Sequence, residues 1–205
     1  MAIADNVLSE LKPIAYAKAR AMVQDGDLLL CSATDPFSRL IRWSTKTPWS
    51  HIAIAYRIPS LDRVMVFEAV EKIGVRTVPL SRFISMTSGG VHPYPGKILL
   101  ARDQRVADLP DKKKRAMFDF AFANLGNHFA PGEILKIGGR LMLGRSGTKM
   151  PHFLGAKDEF ICSEYVARCY AKAGLKIPWD GLGFVGPGDF AAAPDIQAVA
   201  QIRTR

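Results

Sequence analysis

The sequence predicts an α+β domain in which the helix that carries Cys162 packs on a central antiparallel sheet. Short apolar and β-branched runs between residues 50 and 78, separated by turn residues, are typical of an antiparallel meander. Helical periodicity follows later, at 110–125 and again from Cys162 onward. Hairpin-connected strands and longer helices in separate parts of a chain are the pattern of an α+β fold.

The composition fits one globular domain. The chain of 205 residues is 48% hydrophobic and 23% charged, which is ordinary for a protein with a real core. We expect a single domain over residues 1–205, with an N-terminal helical arm (1–24) and a long lid-like connection (126–157). A connection of that length within a compact domain is usually a lid or a binding loop.

The cysteines and the start of the chain favour a cytoplasmic protein. The chain has three cysteines, Cys31, Cys162 and Cys169. This number is small, and it is odd, whereas a secreted disulfide framework needs several pairs. The first residues do not have the pattern of a signal peptide, because charged residues and Pro13 interrupt any apolar core. No apolar run approaches the roughly 18 residues of a membrane span.

The net charge of +9 favours acidic partners. We therefore expect that an anionic surface, either lipid or wall polymer, could bind the protein. The densest basic run, residues 112–115, is interpreted as the solvated face of a helix. No nucleic acid is expected as a partner, because the chain has no zinc-finger spacing, RNA-binding strand or recognition helix.

The first elements follow from caps and short apolar runs. Residues 4–23 have helical character with a break near Pro13, and Gly26-Asp27 is a turn before a buried strand over 28–31. Asp35-Pro36 is typical of an N-cap and a first helical residue. The later predictions are strands over 50–56, 64–70, 75–78 and 97–101, helices over 81–84 and 110–125, and, after the Cys162 helix, a proline-containing tail that wraps the surface.

His51 and Glu68 are unusual residues for the strands that contain them. Each lies between apolar neighbours, where an imidazole or a carboxylate is unfavourable unless it has a partner. A hairpin turning around residues 58–62, with paired residue numbers that sum to about 119, places His51 opposite Glu68. Their side chains would then share one face at a spacing of about 5 Å.

Cys162 is predicted in the first turn of a helix that ends near Gly174. Unpaired backbone N–H groups and the helix dipole lower the pKa of a thiol there. A thiolate, an imidazole base and an orienting carboxylate are what nucleophilic catalysis requires, and helix-start amides suit an oxyanion. The alternative is a buried structural cysteine beside an unrelated core His–Glu pair.

The motifs around these residues resemble one family. Gly26-Asp27-Leu28, Trp49-Ser50-His51, Phe67-Glu68-Ala69 and Phe160-Ile161-Cys162-Ser163-Glu164 follow one another in this order along the chain. That order resembles the circularly permuted branch of the NlpC-type papain-like amidases, the YiiX/YebB-like group. In the unpermuted family the cysteine helix comes first. The lecithin retinol acyltransferase relatives share the permuted order.

The resemblance implies a papain-like fold with Cys162 as nucleophile, His51 as base and Glu68 as the orienting group. It implies hydrolysis of an amide bond in a peptide or cell-wall-derived fragment through a thioester, and hence a small peptide or amino-acid-containing substrate. Two alternatives stay open. One is a lipid acyltransferase or phospholipase of the lecithin retinol acyltransferase type, and the other is a non-catalytic binding module with a vestigial site.

Trp49, Glu164 and Tyr165 are the expected substrate-binding residues. Trp49 lies beside the His51 strand and could form the wall of a cleft, with a core position as the alternative. Glu164 could bind a substrate amine or could act only as a first-turn acid. Arg42 and Lys46 precede Trp49 and could attract an acidic group. No cofactor is expected, and no metal, because the loop histidines lack the spacing of converging ligands.

Overall fold

A six-stranded antiparallel sheet organises the chain, in the order β10-β7-β1-β2-β3-β4. The structure is a computed structural model that describes residues 2–71, 73–87, 90–129, 159–178 and 185–204. The described strands are β1 Leu28–Ala33, β2 His51–Ile58, β3 Arg63–Val70, β4 Gly74–Pro79, β5 Met86–Thr87, β6 Gly90–Val91, β7 Gly96–Asp103, β8 His128–Phe129, β9 Glu159–Phe160 and β10 Ile196–Ile202.

Helices pack on both faces of this sheet. The described helices are α1 Val7–Glu10, α2 Tyr16–Met22, α3 Pro36–Thr45, α4 Leu80–Phe83, α5 Gln104–Ala107, α6 Asp111–Ala123, α7 Cys162–Lys172 and α8 Pro187–Ala192. The α+β class with an antiparallel sheet is confirmed. Among the described residues, no helix combines the length and the apolar character needed to cross a bilayer.

The strand periodicity sorts the core into two layers. Leu30, Ile52 and Phe67 point to the face that α6 and α7 cover, together with Tyr165 and Val166 of α7. Alternate residues of the same strands point to the opposite face, which α4 covers: Leu29, Cys31, Ala53, Ala55, Val64 and Val66. This alternation arises because successive side chains of a strand point to opposite faces.

The start of α3 forms as its sequence predicts. Asp35 is the N-cap, and its side chain accepts a hydrogen bond from the Ser38 amide at 3.0 Å. Pro36 occupies the first helical position, where its missing N–H is no loss. The helical character predicted over 4–23 is divided between α1 and α2, on either side of Pro13.

The β2–β3 register differs from the predicted one by two residues. Ile54 pairs with Phe67 and Ile58 with Arg63, so the same register places Ala53, not His51, opposite Glu68. The connection, residues 59–62, holds a 3₁₀ turn and a left-handed residue, Asp62, with φ 46°, and its centre lies one residue later in the chain than predicted. An even shift keeps His51 and Glu68 on one face as diagonal neighbours.

The C-terminal tail is a correction to the sequence prediction. Instead of only wrapping the surface, it contains α8 and then β10, which pairs with β7 at the edge of the main sheet. Alanine and glutamine have low strand propensity, so the segment Ile196–Ile202 carries little strand signal of its own. Pairing with β7 and burial of Ile196 and Ile202 stabilise it.

The predicted connection over 126–157 lies mostly outside the described residues, which end at 129 and resume at 159. The described part contains β8, which pairs in parallel with β9 just before Cys162. The Asn127 carbonyl accepts a hydrogen bond from the Val75 amide at 2.8 Å, and the Gly126 amide donates to the Val75 carbonyl at 2.9 Å. Residues 126–127 are therefore hydrogen-bonded to β4.

Gly74→Ala should destabilise the protein far more than Gly126→Ala. Both glycines have positive φ, 90° and 87°, but a β-carbon at Gly74 would overlap the Asn127 carbonyl, whereas nothing lies within 4 Å of one at Gly126. We expect about 1 kcal/mol for Gly126→Ala and about 3 kcal/mol for Gly74→Ala. Urea unfolding of both variants measures the difference. Equal losses would mean that the β4 contact contributes nothing.

Candidate functional site

The start of β2 and the start of α7 bring His51 and Cys162 to one end of the sheet. Ser50 orients the beginning of β2, because its amide donates to the Cys31 carbonyl at 2.8 Å and its Oγ accepts from the Ala33 amide at 3.0 Å. Helix α7 contacts β2 and β3. Cys162 at its first position is partly buried.

His51 and Glu68 meet, as predicted from their positions in β2 and β3. His51 Nε2 lies 2.7 Å from Glu68 Oε2, a hydrogen-bond distance. The Glu68 side chain is 4% exposed and the His51 side chain 18% exposed, so the pair is largely shielded from water. The imidazole also stacks on Phe83 of α4, with ring centroids 6.5 Å apart.

Arg76 is a second partner of Glu68 that the sequence analysis missed. It pairs directly with Glu68 across β3 and β4, and its Nε and Nη2 lie 2.9 Å and 2.7 Å from Oε1. Burial raises the pKa of the Glu68 carboxyl, but hydrogen bonds and charge from His51 and Arg76 outweigh burial, so that pKa is lowered. A register prediction for the β3–β4 hairpin could have found Arg76.

Cys162 and His51 stabilise each other's charged forms. Burial raises the pKa of the Cys162 thiol, but the charge of His51 and its hydrogen bond to the sulfur outweigh burial, helped by the amides of Ile52 and Ser163. The pKa of Cys162 is therefore lowered. Burial lowers the pKa of His51, yet Cys162 and Glu68 together raise it to about 10. A thiolate beside an imidazolium is the favoured state.

The other two cysteines show that burial alone has the opposite effect. Cys31 and Cys169 lie in the core, and burial raises the pKa of both thiols. Each has a tyrosine hydrogen bond, Tyr94 for Cys31 and Tyr165 for Cys169, but among the described residues no positive charge lowers the pKa of either thiol. The lowered pKa of Cys162 therefore depends on His51, because burial alone would raise it.

Of the three predicted substrate-binding residues, two lie in the core and one lies in an ion pair. Trp49 is 1% exposed and packs in the core face that α7 covers. Tyr165 is fully buried, and its hydroxyl donates to the Ala121 carbonyl at 2.9 Å. Glu164 pairs with Arg168 one turn along α7, at 2.7 Å. The structure gives each residue a packing or pairing role, and their predicted contact with a substrate stays a prediction.

The described residues do not form a metal site. Nowhere within residues 2–71, 73–87, 90–129, 159–178 and 185–204 do three or more His, Cys, Asp or Glu side chains converge as metal ligands would. The two carboxylate oxygens of Glu68 already accept hydrogen bonds from His51 and Arg76. Glu68 therefore has hydrogen-bond donors on both oxygens from within the protein.

Comparison with known proteins shows similarity in structure. No protein-family model and no curated protein matches the sequence. Among solved structures, the crystal structure of the metalloprotein yiiX from Escherichia coli O157:H7 is similar, with a TM-score of 0.60 over 86% of this chain and 96% of that chain. The two sequences are 20% identical. At this identity the likeness concerns the fold, and the chain is related in architecture to a YiiX-like protein.

Proposed function

We propose that this protein is a thiol hydrolase that cleaves an amide bond through a Cys162 acyl-enzyme. One observation carries the proposal: His51 hydrogen-bonds both to the buried Glu68 carboxylate, at 2.7 Å, and to the Cys162 sulfur. A nucleophile, a base within its reach and a group that orients the base are the parts that this chemistry needs. The expected substrate is a small peptide or a cell-wall-derived fragment.

In the acylation step the Cys162 thiolate attacks the amide carbonyl carbon, and the carbonyl electron pair moves onto oxygen. Backbone amides at the start of α7 are available as donors for that oxyanion, with the amide of Cys162 the first of them. When the C–N bond breaks, the His51 imidazolium gives its proton to the leaving amine. The products of this step are a free amine and a thioester.

In the deacylation step neutral His51 takes a proton from water, and the resulting hydroxide attacks the thioester carbonyl. Collapse of the tetrahedral intermediate breaks the C–S bond, which releases a carboxylic acid and restores the thiolate beside an imidazolium. Because Glu68 engages Nε2, the nitrogen left for sulfur and water is Nδ1. Glu68 thereby sets the tautomer of His51 and stabilises its cationic form.

The order of the motifs supports a circularly permuted papain-like arrangement of the NlpC type. The Gly26-Asp27 turn, the His51 strand and the Glu68 strand precede the helix of Cys162, which packs across the same strands. The similarity to the yiiX structure fits this interpretation at the level of the fold. Permutation changes only where the chain begins and ends, so the relative positions of sulfur, imidazole and carboxylate can be the same.

A second candidate function, acyl transfer or lipid hydrolysis at a membrane surface, is favoured by helix α3. Leu40 and Trp43 of this helix are 54% and 59% exposed, and Arg39 and Lys46 beside them are exposed cations. Apolar side chains flanked by cations suit the interface of an anionic bilayer. The chain's net charge of +9 adds to that attraction.

Alkylation of Cys162 tests the activated thiolate. We expect iodoacetamide to label wild type rapidly at pH values well below the ordinary thiol pKa of 9.0, because His51 holds the pKa of Cys162 down. In His51→Ala only burial and two amides remain, so the reaction should need higher pH and be at least about tenfold slower at pH 7. Mass spectrometry locates the label, and Cys162→Ala measures the background. Equal rates would reduce the protein to a binding module.

Glu68→Gln and Arg76→Gln test the positioning role of the carboxylate. Removing the charge of Glu68 should lower the pKa of His51 and slow alkylation of Cys162 by about tenfold or more. Arg76→Gln should slow it less, because His51 keeps its partner. Arg63→Gln, an exposed arginine of the same strand as Glu68, is the control. A wild-type rate in Glu68→Gln would show that the carboxylate has no part in activating the thiol.

The stability of these variants should depend on pH in one direction. The pKa of Glu68 is lowered on folding, so its contribution is present above its ordinary pKa and is lost as pH falls through the folded value. Without Arg76, the pKa of Glu68 is lowered less, because the charge and the hydrogen bonds of the guanidinium are gone. Arg76→Gln should therefore unfold at a higher pH than wild type during acid titration followed by circular dichroism, and Arg63→Gln should not.

Sedimentation with liposomes distinguishes the lipid alternative. If α3 binds bilayers, wild type should pellet with anionic vesicles at low salt, and Leu40→Gln combined with Trp43→Gln should reduce the pelleted fraction several-fold. Phe122→Gln, on α6, also removes an exposed apolar side chain and serves as the matched control. If wild type stays in the supernatant, the lipid alternative loses its support and the amide hydrolase is unaffected.

A further inference from the structure

Arg42 differs from the other half-buried arginines of the described chain, because none of the described carboxylates pairs with it. Each of the others pairs with an Asp or Glu within 3.4 Å: Arg20, Arg57, Arg76, Arg102, Arg105 and Arg168. Among the described residues, Arg42 Nη1 donates one hydrogen bond, a long one of 3.3 Å, to Ser32 Oγ. Its Nε is buried and has no acceptor among the described residues. A buried guanidinium donor without an acceptor is unfavourable.

The strand register places this guanidinium near Cys162. Leu30 of β1 pairs with Ile52 of β2, and Ser32 lies two residues further along β1 on the same face. Diagonal neighbours of this kind are about 7–8 Å apart. The Ile52 amide is one of the groups that lower the pKa of the Cys162 thiol, so the sulfur lies near that amide, and the guanidinium beside Ser32 is on the order of 10 Å from the sulfur, on the α7 side of the sheet.

Trp49 provides a second unsatisfied donor at the same end of β2. Its side chain is 1% exposed, and its indole Nε1 has no acceptor among the described residues. It lies two residues before His51 and one before Ser50, which bonds to the end of β1. Buried indole N–H groups usually have a partner. Two of the buried donors that have no acceptor among the described residues therefore lie at this end of the sheet, where the acceptor atoms of a ligand would satisfy them.

We propose that Arg42 binds a carboxylate group of the substrate and so selects acidic peptides or wall fragments for cleavage at Cys162. This inference rests on the proposed thiol hydrolase activity for its meaning, although the anion site can be tested without it. The planar guanidinium matches a carboxylate with two parallel hydrogen bonds. One guanidinium neutralises the single charge of a carboxylate, whereas a phosphate carries nearly two.

Helix geometry alone does not account for the position of Arg42. The residue lies near the C-terminal end of α3, where the dipole favours a cation. That attraction operates equally on a side chain extended into water, and it does not require burying Nε without an acceptor. Arg39, one turn earlier on the same helix, is exposed. Burial of Arg42 toward Ser32 is therefore a separate feature that a bound carboxylate would complete.

Matched alkylating probes test the proposal. Bromoacetyl-γ-aminobutyrate carries a carboxylate at a reach similar to the sulfur-to-guanidinium separation, and its primary amide is the neutral control. Bromoacetyl phosphoethanolamine provides the phosphate comparison. For each protein the second-order rate of Cys162 alkylation is measured with all three probes. The readout is the ratio of the carboxylate rate to the neutral rate, which cancels any general change in the thiol.

We expect wild type to react with the carboxylate probe about tenfold faster than with the neutral one. Arg42→Gln should bring the ratio close to one, and Arg42→Lys should give an intermediate ratio because lysine keeps the charge but loses the fork. Arg39→Gln removes the same charge from the same helix and should keep the wild-type ratio. An equal fall in Arg39→Gln, or no preference in wild type, would overturn the proposal. A preference for the phosphate probe alone would also overturn it.

A binding measurement separates this inference from the proposed reaction. Glutarate should raise the melting temperature of wild type and of Arg39→Gln but not of Arg42→Gln, because it binds only the folded site. If the neutral probe labels Cys162 no faster than it labels glutathione, the hydrolase proposal fails while the glutarate result still decides the Arg42 site. Circular dichroism of each variant confirms that it is folded, and a glutarate shift retained in Arg42→Gln rejects the site.

Discussion

The hydrogen bond between His51 and Glu68 is the interaction on which the candidate site depends. A carboxylate buried to this degree persists only when donors surround it, and here His51 approaches one oxygen and Arg76 the other. The fixed negative charge then raises the proton affinity of the imidazole, and the imidazolium lowers the pKa of the Cys162 thiol. Charge therefore alternates along the row from Arg76 to Cys162.

The antiparallel sheet determines where this row can form. Glu68 and Arg76 are direct partners across β3 and β4, and His51 reaches Glu68 diagonally from β2. Cys162 comes from a helix that packs across the same strands. Four side chains that are far apart in sequence are thereby held by regular backbone pairing rather than by loops, which suits a site that must keep its geometry.

The same end of the sheet contains the two buried donors, Arg42 Nε and Trp49 Nε1, that have no acceptor among the described residues. Six other half-buried arginines of the described residues pair with carboxylates. Under the proposed function, the acceptor for the Arg42 guanidinium is a carboxylate of the substrate. The proposed base, His51 of β2, and the site for the substrate's charge, beside Ser32 of β1, would then lie on adjacent strands.

The sequence by itself determined the local features of this protein. The Asp35-Pro36 cap, the alternation in β2 and β3, and the helix start at Cys162 depend on neighbouring residues, so they could be predicted. The meeting of His51 and Glu68 was also predictable, because an even error in register leaves both on one face. Arg76 of β4 was not predicted, because finding it requires the register between β3 and β4 and not only the pattern within each strand.

Only the tertiary structure decided which distant residues became neighbours. Strand β10 has weak local propensity and forms because β7 offers an edge with unpaired backbone groups. The direction of the Cys162 pKa shift likewise depends on His51, which comes from a distant part of the chain. The pKa of Cys31, a core cysteine, is raised instead. Pairing partners and electrostatic fields arise from contacts far apart in the chain, and no pattern within a short stretch of sequence contains them.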